Sequence, residues 1–594
     1  MGENVLIGLA AIIVFGIFAQ WFSWILRLPS ILLLLVLGFI AGPVTGLLNP
    51  DEFFGELLFP FVSISVAIIL FEGGLSLKIS ELKPVLSVVR ILITIGTIIT
   101  WLLTTLASVY FLKLSIGVSL LLGAILVVTG PTVIIPLLRL VKPKGKINSI
   151  LKWEGIVNDP IGAMLALLVF DIIISSGVKE ATFTVILIII KTLLLSSIIG
   201  IVGAYILVYM FKKDYIPDYL QSPVSLATIV LVFVSSNTIQ TESGLFAVTI
   251  MGIILANQKQ VVVDHIIEFK ENIGVLLLSA LFIILAARLQ FSDLELIGTG
   301  EILFVLSLIL LIRPAAIFLS SIGSNLNWKE KIYLSWMAPR GIVAAAVTSV
   351  FSLELLEHGY EEARILVPII FLVIIITILI YGLSAIPLAK ILKLSDSNPQ
   401  GILIAGINKL SLEIYNALSK HKIKVLLVDN NWEKVTNARQ SGYNTCFGSV
   451  VAEKTHETMD LSGIGKFLAL TPNKGINSLA SIYFSKIFDS SNVYQIYTAP
   501  KHNQDVPKEL RGTLFSSQKL TYNDIQNNET TLIVKSTKVS EEFTYIKLRE
   551  KYSHEIFHPL FKLSSENKIE IFSEDNSPKI NKGDTIISLI LNET

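Results

Sequence analysis

The chain has little cysteine and little charge for its length. A single cysteine, Cys446, in 594 residues excludes a disulfide framework and is typical of a reducing compartment. We expect it to be a small buried side chain rather than a reactive thiol. Charged residues make up 16% of the sequence, and basic and acidic residues nearly cancel at 47 against 46. That balance gives no electrostatic footprint of a nucleic-acid partner, and none is expected.

What the sequence has in excess is hydrophobic residues. They make up 53% of the chain, and the mean hydropathy is +0.71. No soluble globular protein of this size is so apolar throughout, so the composition predicts an integral membrane protein. The apolar runs predict a transmembrane domain over residues 1–395. Residues 400–512 and 515–594 are predicted to form a Rossmann-like domain and a small β-rich or α+β module.

Charged and Pro/Gly-rich breaks divide the first 395 residues into about thirteen apolar segments, most of them near the ~20 residues that a spanning helix needs. Basic and acidic residues fall in alternate loops, as at Lys78, Lys83, Lys212 and Lys213 on one side and Asp51, Glu52, Glu361 and Glu362 on the other, with Lys113 and Lys179 as exceptions. Under the positive-inside rule this pattern predicts an outside N-terminus and a cytoplasmic C-terminal region.

The fifth segment contains VVTGPTVIIPLLR, and Gly130-Pro131 in its middle should interrupt the helix. Pro131 has no N–H and clashes with the carbonyl of Val127. Broken helices at membrane depth line cavities and build ion sites in transporters. Freed carbonyls near Val127 and the hydroxyls of Thr129 and Thr132 would then be hard oxygen ligands. A proline kink that serves only packing explains the segment equally well.

The sixth segment, WEGIVNDPIGAMLALLVF, holds Asp159 in an apolar run. A lone carboxylate there costs several kcal/mol even on lenient scales, which points to a proton relay, an ion site or a structural ion pair. Asn158 can donate or accept without charge, and Gly155, four residues before Asp159, opens a gap. Glu154 lies on a different face and is better placed for an ion pair.

The twelfth segment, MAPRGIVAAAVTS, predicts a second interrupted helix, because Pro339 and Gly341 flank Arg340. One interrupted helix in each half of the chain is typical of transporters with inverted repeats. Arg340 could neutralise Glu154 or the carbonyl end of a half-helix. Glu72, near the end of the run ILFEGGLSL, could be an ion ligand, a gate or a solvated interfacial residue.

From residue 400 short strands alternate with amphipathic helices, which predicts a doubly wound parallel sheet. The dinucleotide fingerprint is degraded. After Gly406 its second and third glycine positions are Asn408 and Ser411, although Asp429 does end the second strand, where a ribose hydroxyl would be held. Nucleotide binding and a dimerisation module without ligand both remain open.

Residues 1–395 resemble the Na+/H+ exchanger branch of the cation/proton antiporters, particularly bacterial NhaP-like proteins. The matching pieces are LFEGGL, TGPTVIIPLLR, EGIVNDPIGA and APRGIVAAA, in that order. The resemblance implies a homodimer in the plasma membrane, within membrane lipid. It also implies that a cation binds Asp159 with Asn158, Thr129 and Glu72 nearby, supported by a Glu154–Arg340 ion pair. Many relatives have Asp where this chain has Gly130, and some have a hydroxyl residue at Gly155.

Residues 400–510 resemble the RCK or TrkA-N domains that regulate potassium channels and transporters. That resemblance implies a small nucleotide ligand, an adenine nucleotide or NAD(H), at Gly406, Asn408 and Asp429.

These observations predict a transporter rather than an enzyme. Ionised Asp159 with one bound cation is neutral, and so is protonated Asp159, so exchange of one cation for one proton moves no net charge. We expect Na+/H+ exchange regulated by the nucleotide domain. K+/H+ exchange by the same mechanism is the alternative, and a nucleotide-gated cation channel is disfavoured because no filter sequence such as TVGYG is present.

Overall fold

Two compact units divide the chain, an N-terminal unit, Met1–Ser397, and a C-terminal unit, Asn398–Thr594. The computed structural model describes residues 2–26, 28–141, 143, 146–174, 181–261, 263–295, 297–395, 399–452, 455–456, 459–461, 463–497, 507–516, 520–526, 530–552, 556–565 and 568–593. Lys179, an exception to the loop-charge pattern, lies outside these residues. The three-domain division predicted from the sequence stays a prediction.

The N-terminal unit is built of helices. They are α1 (Gly2–Leu26), α2 (Ser30–Phe39), α3 (Pro50–Phe54), α4 (Leu58–Leu75), α5 (Ile79–Leu82), α6 (Leu86–Ile91), α7 (Thr97–Ala107), α8 (Ile116–Ile125), α9 (Pro131–Val141), α10 (Ile147–Ile174), α11 (Ala181–Lys212), α12 (Asp218–Asn237), α13 (Ser243–Asn257), α14 (Asp264–Ala287), α15 (Phe291–Glu295), α16 (Thr299–Ser307), α17 (Arg313–Ser320), α18 (Trp328–Trp336), α19 (Ile342–Glu357) and α20 (Leu366–Ile391). One-turn π-helical segments continue several of them, at Ile40–Val44, Leu92–Gly96, Ser108–Leu112 and Leu308–Ile312.

Many of these helices are apolar enough to cross a bilayer. Within the described residues nine helical stretches have the necessary length and hydropathy, namely Leu6–Leu26, Pro50–Leu75, Ile79–Leu112, Ile147–Ile174, Ile190–Lys212, Asp218–Asn237, Phe269–Ala287, Thr299–Ser320 and Glu361–Ile391. Shorter apolar helices are Ser30–Val44, Ile116–Ile125 and Ser243–Asn257. The prediction of a multi-span helical membrane protein is confirmed, while the number thirteen and the inverted repeats stay predictions.

Both predicted helix interruptions are present. The chain leaves helical geometry between α8 and α9 over residues 126–130, and again between α18 and α19 over residues 337–341. Pro131 is the first residue of α9, where its missing N–H costs nothing and its fixed φ suits the helix. Each interruption therefore leaves two half-helices whose inner ends meet at a short extended stretch.

The C-terminal unit begins with a parallel sheet. Its elements are β1 (Gly401–Ala405), α21 (Lys409–Lys420), β2 (Val425–Asp429), α22 (Trp432–Gln440), β3 (Thr445–Phe447), β4 (Ile464–Ala469), α23 (Lys474–Phe488), β5 (Val493–Gln495) and β6 (Thr513–Leu514). The strand order is β3-β2-β1-β4-β5-β6, and every pair is parallel. This is the doubly wound order 3-2-1-4-5-6, so the Rossmann-like prediction is confirmed.

A second sheet follows, with α24 (Tyr522–Gln526), β7 (Thr530–Lys538), α25 (Tyr545–Lys551), β8 (Ile556–Leu563), β9 (Ile569–Ile571) and β10 (Thr585–Glu593). Its strands are antiparallel in the order β7-β10-β8-β9. Phe515, Leu560 and Ile587 share one hydrophobic cluster with Ile402 of the first sheet. Cys446 is half-buried rather than buried, because β3 is an edge strand.

Candidate ion site and nucleotide pocket

Asp159 lies in the middle of α10 and is 1% exposed. Neither of its carboxylate oxygens has a hydrogen-bond partner among the described residues. A buried acceptor without a partner costs about 1–3 kcal/mol, and more when it is charged. The carboxylate therefore needs a proton or a cation to be stable where it is.

The face of α10 that carries Asp159 packs against the interruption between α8 and α9. Gly155, Asp159 and Gly162 follow each other at spacings of four and three residues, so they share one face of the helix. A methyl group on Gly155 would lie 3.6 Å from the carbonyl oxygen of Thr129, and one on Gly162 would lie 3.1 Å from the amide nitrogen of Val128. The missing side chains let the extended stretch approach α10 on both sides of the carboxylate.

Further oxygens without partners lie at the same interruption. The hydroxyls of Thr129 and Thr132 are buried, and among the described residues neither has a hydrogen-bond partner. Asn158, buried beside Asp159, accepts a long hydrogen bond of 3.5 Å from the Thr97 hydroxyl. Carboxylate, hydroxyl and amide oxygens are the ligands that hard cations prefer.

A small cavity opens next to these groups, with a volume of about 10 Å³, space for about one water molecule. Its polar lining is formed by Thr97, Thr100, Thr129, Glu154, Asn158, Arg313 and Arg340. Thr129 and Asn158 thus line one cavity, and Asp159 is the next residue of α10.

The carboxylate of Glu72 packs against Gly274 of α14, and the described lining of the small cavity includes neither Glu72 nor Asp159. The charged group next to it is Lys270, a fully buried lysine that interacts electrostatically with Glu72 and whose Nζ lies 3.8 Å from the centroid of the Phe71 ring. The sequence interpretation missed Lys270, although a lysine at the edge of an apolar run was a visible signal.

The predicted Glu154–Arg340 ion pair is wrong. Both carboxylate oxygens of Glu154 accept hydrogen bonds from Arg313, at 2.5 and 2.9 Å, and all of these groups are buried. The planar fork of an arginine matches a carboxylate in this bidentate manner. Arg313 lies in the apolar run LLIRPAA, so its burial was foreseeable, but its partner on a distant helix was not.

Arg340 and Arg313 instead close the open ends of the two broken helices. Arg340 donates from Nη1 to the carbonyl oxygens of Val128 at 2.9 Å and Val127 at 3.4 Å, beyond the end of α8. Arg313 donates to the carbonyl oxygens of Leu334 at 3.2 Å and Met337 at 3.0 Å, at the end of α18. Helix C-termini carry partial negative charge and orphan carbonyls, which cations stabilise. The carbonyls expected to be free for an ion are therefore occupied by Arg340.

The two extended stretches touch each other at glycines. A methyl group on Gly130 would overlap the Cα of Gly341, and one on Gly341 would overlap the Cα of Gly130. The backbones therefore cross where neither residue can carry a side chain, which accounts for the glycine at position 130.

The nucleotide residues predicted from the sequence lie in one pocket of the C-terminal unit, with a volume of about 270 Å³. Gly406, Asn408 and Asp429 line it together with residues from the ends of β3 and β4. Tyr522 of α24 also lines it, a contact that no local sequence pattern indicates. Burial and then the negative charge of Asp429 raise the pKa of Tyr522, so its hydroxyl keeps its proton.

Two families of known proteins match the chain. The family described as "Sodium/hydrogen exchanger, transmembrane" matches residues 9–391, and the TrkA-N domain matches residues 402–510. The first match covers more than half of the chain.

Individual relatives agree with these families. Na(+)/H(+) antiporter 1 of Methanocaldococcus jannaschii is 28% identical over 350 residues, 56% of this chain and 80% of that protein. K(+)/H(+) antiporter NhaP of Alkalimonas amylolytica is 26% identical over 378 residues, 63% of this chain and 64% of that protein. The solved structure of the sodium proton antiporter MjNhaP1 from M. jannaschii at pH 8 matches with a TM-score of 0.59 and 27% identity, covering 66% of this chain and 99% of that one.

Proposed function

Because the chain belongs to the sodium/hydrogen exchanger family and is a cation/proton antiporter of the membrane, we propose that it exchanges one Na+ for one proton at Asp159. The observation that carries this proposal is the set of four buried oxygens that have no hydrogen-bond partner among the described residues, two of Asp159 and one each of Thr129 and Thr132. A cation or a proton bound to Asp159 removes the charge that is most costly to leave unpaired. Thr129 and Asn158 are proposed as further ligands, and Glu72 is assigned no ligand role.

Charge counting supports electroneutral exchange. Glu154 is neutralised by Arg313, and Arg340 is held by helix-end carbonyls, so neither changes charge during transport. Asp159 is neutral with either one monovalent cation or one proton. If only these two forms cross, the exchange is one for one and does not respond to membrane potential.

Na+ is proposed as the cation because the similar solved structure, at 27% identity and a TM-score of 0.59, is that of a sodium proton antiporter. K+ is the second candidate, since curated relatives include K(+)/H(+) antiporters as well as a Na(+)/H(+) antiporter.

The test is exchange in proteoliposomes that contain a pH-sensitive dye. Addition of Na+, K+ or Li+ should dissipate a preset proton gradient, with Na+ effective at the lowest concentration. Asp159→Asn should reduce the rate to that of empty liposomes. Asp171→Asn is the matched control, because Asp171 lies on the same helix and is exposed. Full activity of Asp159→Asn would refute the proposal, and a rate that follows an imposed potential would refute electroneutrality.

The C-terminal unit is proposed to regulate exchange by binding an adenine nucleotide or NAD(H) at Gly406, Asn408 and Asp429. Addition of the nucleotide on the side of the C-terminal unit should change the exchange rate, and Asp429→Ala should abolish the response without changing basal exchange.

We also propose a homodimer in the plasma membrane with the C-terminal unit in the cytoplasm. Cys446 is the single cysteine, so an impermeant maleimide should label inverted vesicles and spare intact cells.

A further inference from the structure

The turn after β1 is built differently from a dinucleotide site. A dinucleotide fingerprint uses its second glycine to let the pyrophosphate approach the backbone, and the pyrophosphate sits at the N-terminus of the following helix. In this chain only Gly406 remains, with φ +99°. A methyl group on Gly406 would lie 2.8 Å from the carbonyl oxygen of Leu470, so the close approach of two strand-end loops already requires this glycine.

Side chains occupy the position at which a dinucleotide site binds the pyrophosphate. Asn408, at the second glycine position, accepts a hydrogen bond from the Ser411 N–H at 2.9 Å through Oδ1. Ser411, at the third position, accepts one from the Asn408 N–H at 2.8 Å through Oγ. This reciprocal capping box satisfies two backbone donors at the start of α21. A diphosphate would have to break both bonds to use those donors.

The gap between β1 and β4 is also bridged. These strands are neighbours in the sheet, and the strand order reverses between them. A dinucleotide crosses the sheet edge at that reversal. Asn408 donates from its side-chain amide to the carbonyl oxygen of Leu470, directly after β4, at 2.9 Å. The same asparagine thus caps the helix and ties the two sides of the crevice together.

What remains open is the half of the site near Asp429. Its Oδ2 accepts from the Ile407 N–H at 2.7 Å and its Oδ1 from the Asn431 N–H at 2.8 Å, which fixes the carboxylate. Each oxygen keeps a second lone pair, enough to accept a ribose hydroxyl. Lys434 lines the same pocket and supplies positive charge for a phosphate. The pocket volume of about 270 Å³ lies just below the range of roughly 300–1,000 Å³ for small-molecule sites.

We infer that this pocket binds a mononucleotide and rejects dinucleotides such as NAD(H). The inference rests on the proposed nucleotide site and narrows its ligand class. Asp429 holds the ribose, and Lys434 meets a single phosphate. The Asn408–Ser411 capping box and the Asn408–Leu470 bond exclude the pyrophosphate and the second nucleoside.

The test is equilibrium binding of AMP and NAD+ to the full-length protein in detergent. AMP should bind at least tenfold more tightly than NAD+, and Asp429→Ala should weaken AMP binding at least tenfold. Glu433→Gln is the matched control, because Glu433 is an exposed acid on the first turn of α22 that does not line the pocket; its AMP affinity should not change. NAD+ binding as tightly as AMP would overturn the inference and leave the nucleotide site standing. Binding of neither would overturn the nucleotide site itself, whereas antiport at Asp159 is measured separately.

A double variant, Asn408→Gly with Ser411→Gly, provides the complementary gain of function. It restores both glycine positions and removes the bridge to Leu470, so NAD+ affinity should rise at least tenfold. Retained AMP binding by the same protein shows that the pocket is still folded. Unchanged NAD+ affinity with AMP binding retained would show that these side chains are not the barrier, which contradicts the inference.

Discussion

The ion site and the nucleotide pocket differ in whether their buried polar groups have hydrogen-bond partners. In the membrane the oxygens of Asp159, Thr129 and Thr132 are buried without partners among the described residues. In the C-terminal pocket the carboxylate of Asp429 and the side chain of Asn408 already hydrogen-bond the backbone of the same unit. Under the proposed function the first site needs its ligand to satisfy these oxygens, while the polar groups of the second site have partners without one. A transported ion suits the first arrangement and an occasional regulator suits the second.

The two regions also differ in how deeply their ion pairs are buried. Removal of the cation from the buried pair should cause the largest loss of stability. Arg313→Gln leaves Glu154 buried without its cation, which should cost about 3–5 kcal/mol. Arg511→Gln in the C-terminal unit breaks the more exposed pair with Glu574 and should cost about 1 kcal/mol or less. Thermal unfolding of the full-length variants measures both. Equal losses of stability in the two variants would show that the burial of an ion pair does not determine the cost of breaking it.

The glycine crossing gives the next largest effect. Gly130→Ala forces a methyl group into Gly341 and should lower the exchange rate at least tenfold, since both half-helices must shift. Gly117→Ala in α8 is the control, because its new methyl group would lie at an ordinary 3.5 Å from Ile173. Exchange by Gly130→Ala at the rate of Gly117→Ala would show that the crossing is not needed for transport.

Removal of one polar group should destabilise the C-terminal region but not the membrane region. Thr129→Val deletes a buried hydroxyl that has no hydrogen-bond partner in the described part of the chain, so we expect unchanged or higher stability. The same variant should raise the KM for the cation five- to hundredfold, about 1–3 kcal/mol. Asn408→Ala deletes a helix cap and should destabilise α21 by about 1 kcal/mol. Thermal unfolding measures the stability of both variants, and hydrogen exchange of the α21 amides reports the loss of the helix cap in Asn408→Ala. A destabilised Thr129→Val would mean that its hydroxyl is structural.

The smallest effect is on the pH dependence of the C-terminal unit. Burial lowers the pKa of His558 below its ordinary value of 6.5. The unfolded chain then binds the proton more readily than the folded chain, so stability is complete above about pH 6.5 and falls as pH falls below it. The protection factors of the β8 amides in the intact protein, which account for the slower intrinsic exchange at lower pH, should fall on acidification. His558→Gln should remove that dependence, and an unchanged slope would assign it to another group.

Patterns within single segments predicted most of the fold. The apolar runs, the strand–helix alternation after residue 400 and both interruptions, at Gly130-Pro131 and around Pro339, follow from local chemistry. Contacts between segments were harder to predict. Sequence spacing placed Glu154 on a face of α10 suited to an ion pair, but gave no means to choose Arg313 over Arg340. That choice depends on which helix end each arginine reaches, and only the packed bundle determines it. Tyr522 reached the nucleotide pocket through the same kind of distant contact.

The two arginines that close the broken helices separate the frame of the ion site from its ligands. Arg340 and Arg313 bind backbone carbonyls, and Arg313 also neutralises Glu154. This frame of arginines and helix ends makes no hydrogen bond to the side-chain oxygens of Asp159, Thr129 or Thr132 among the described residues. Under the proposed function, a substitution at either threonine should therefore alter ion preference without disturbing the frame. Ion specificity can then change through substitution of the side-chain oxygens alone, because the scaffold that holds the broken helices stays the same.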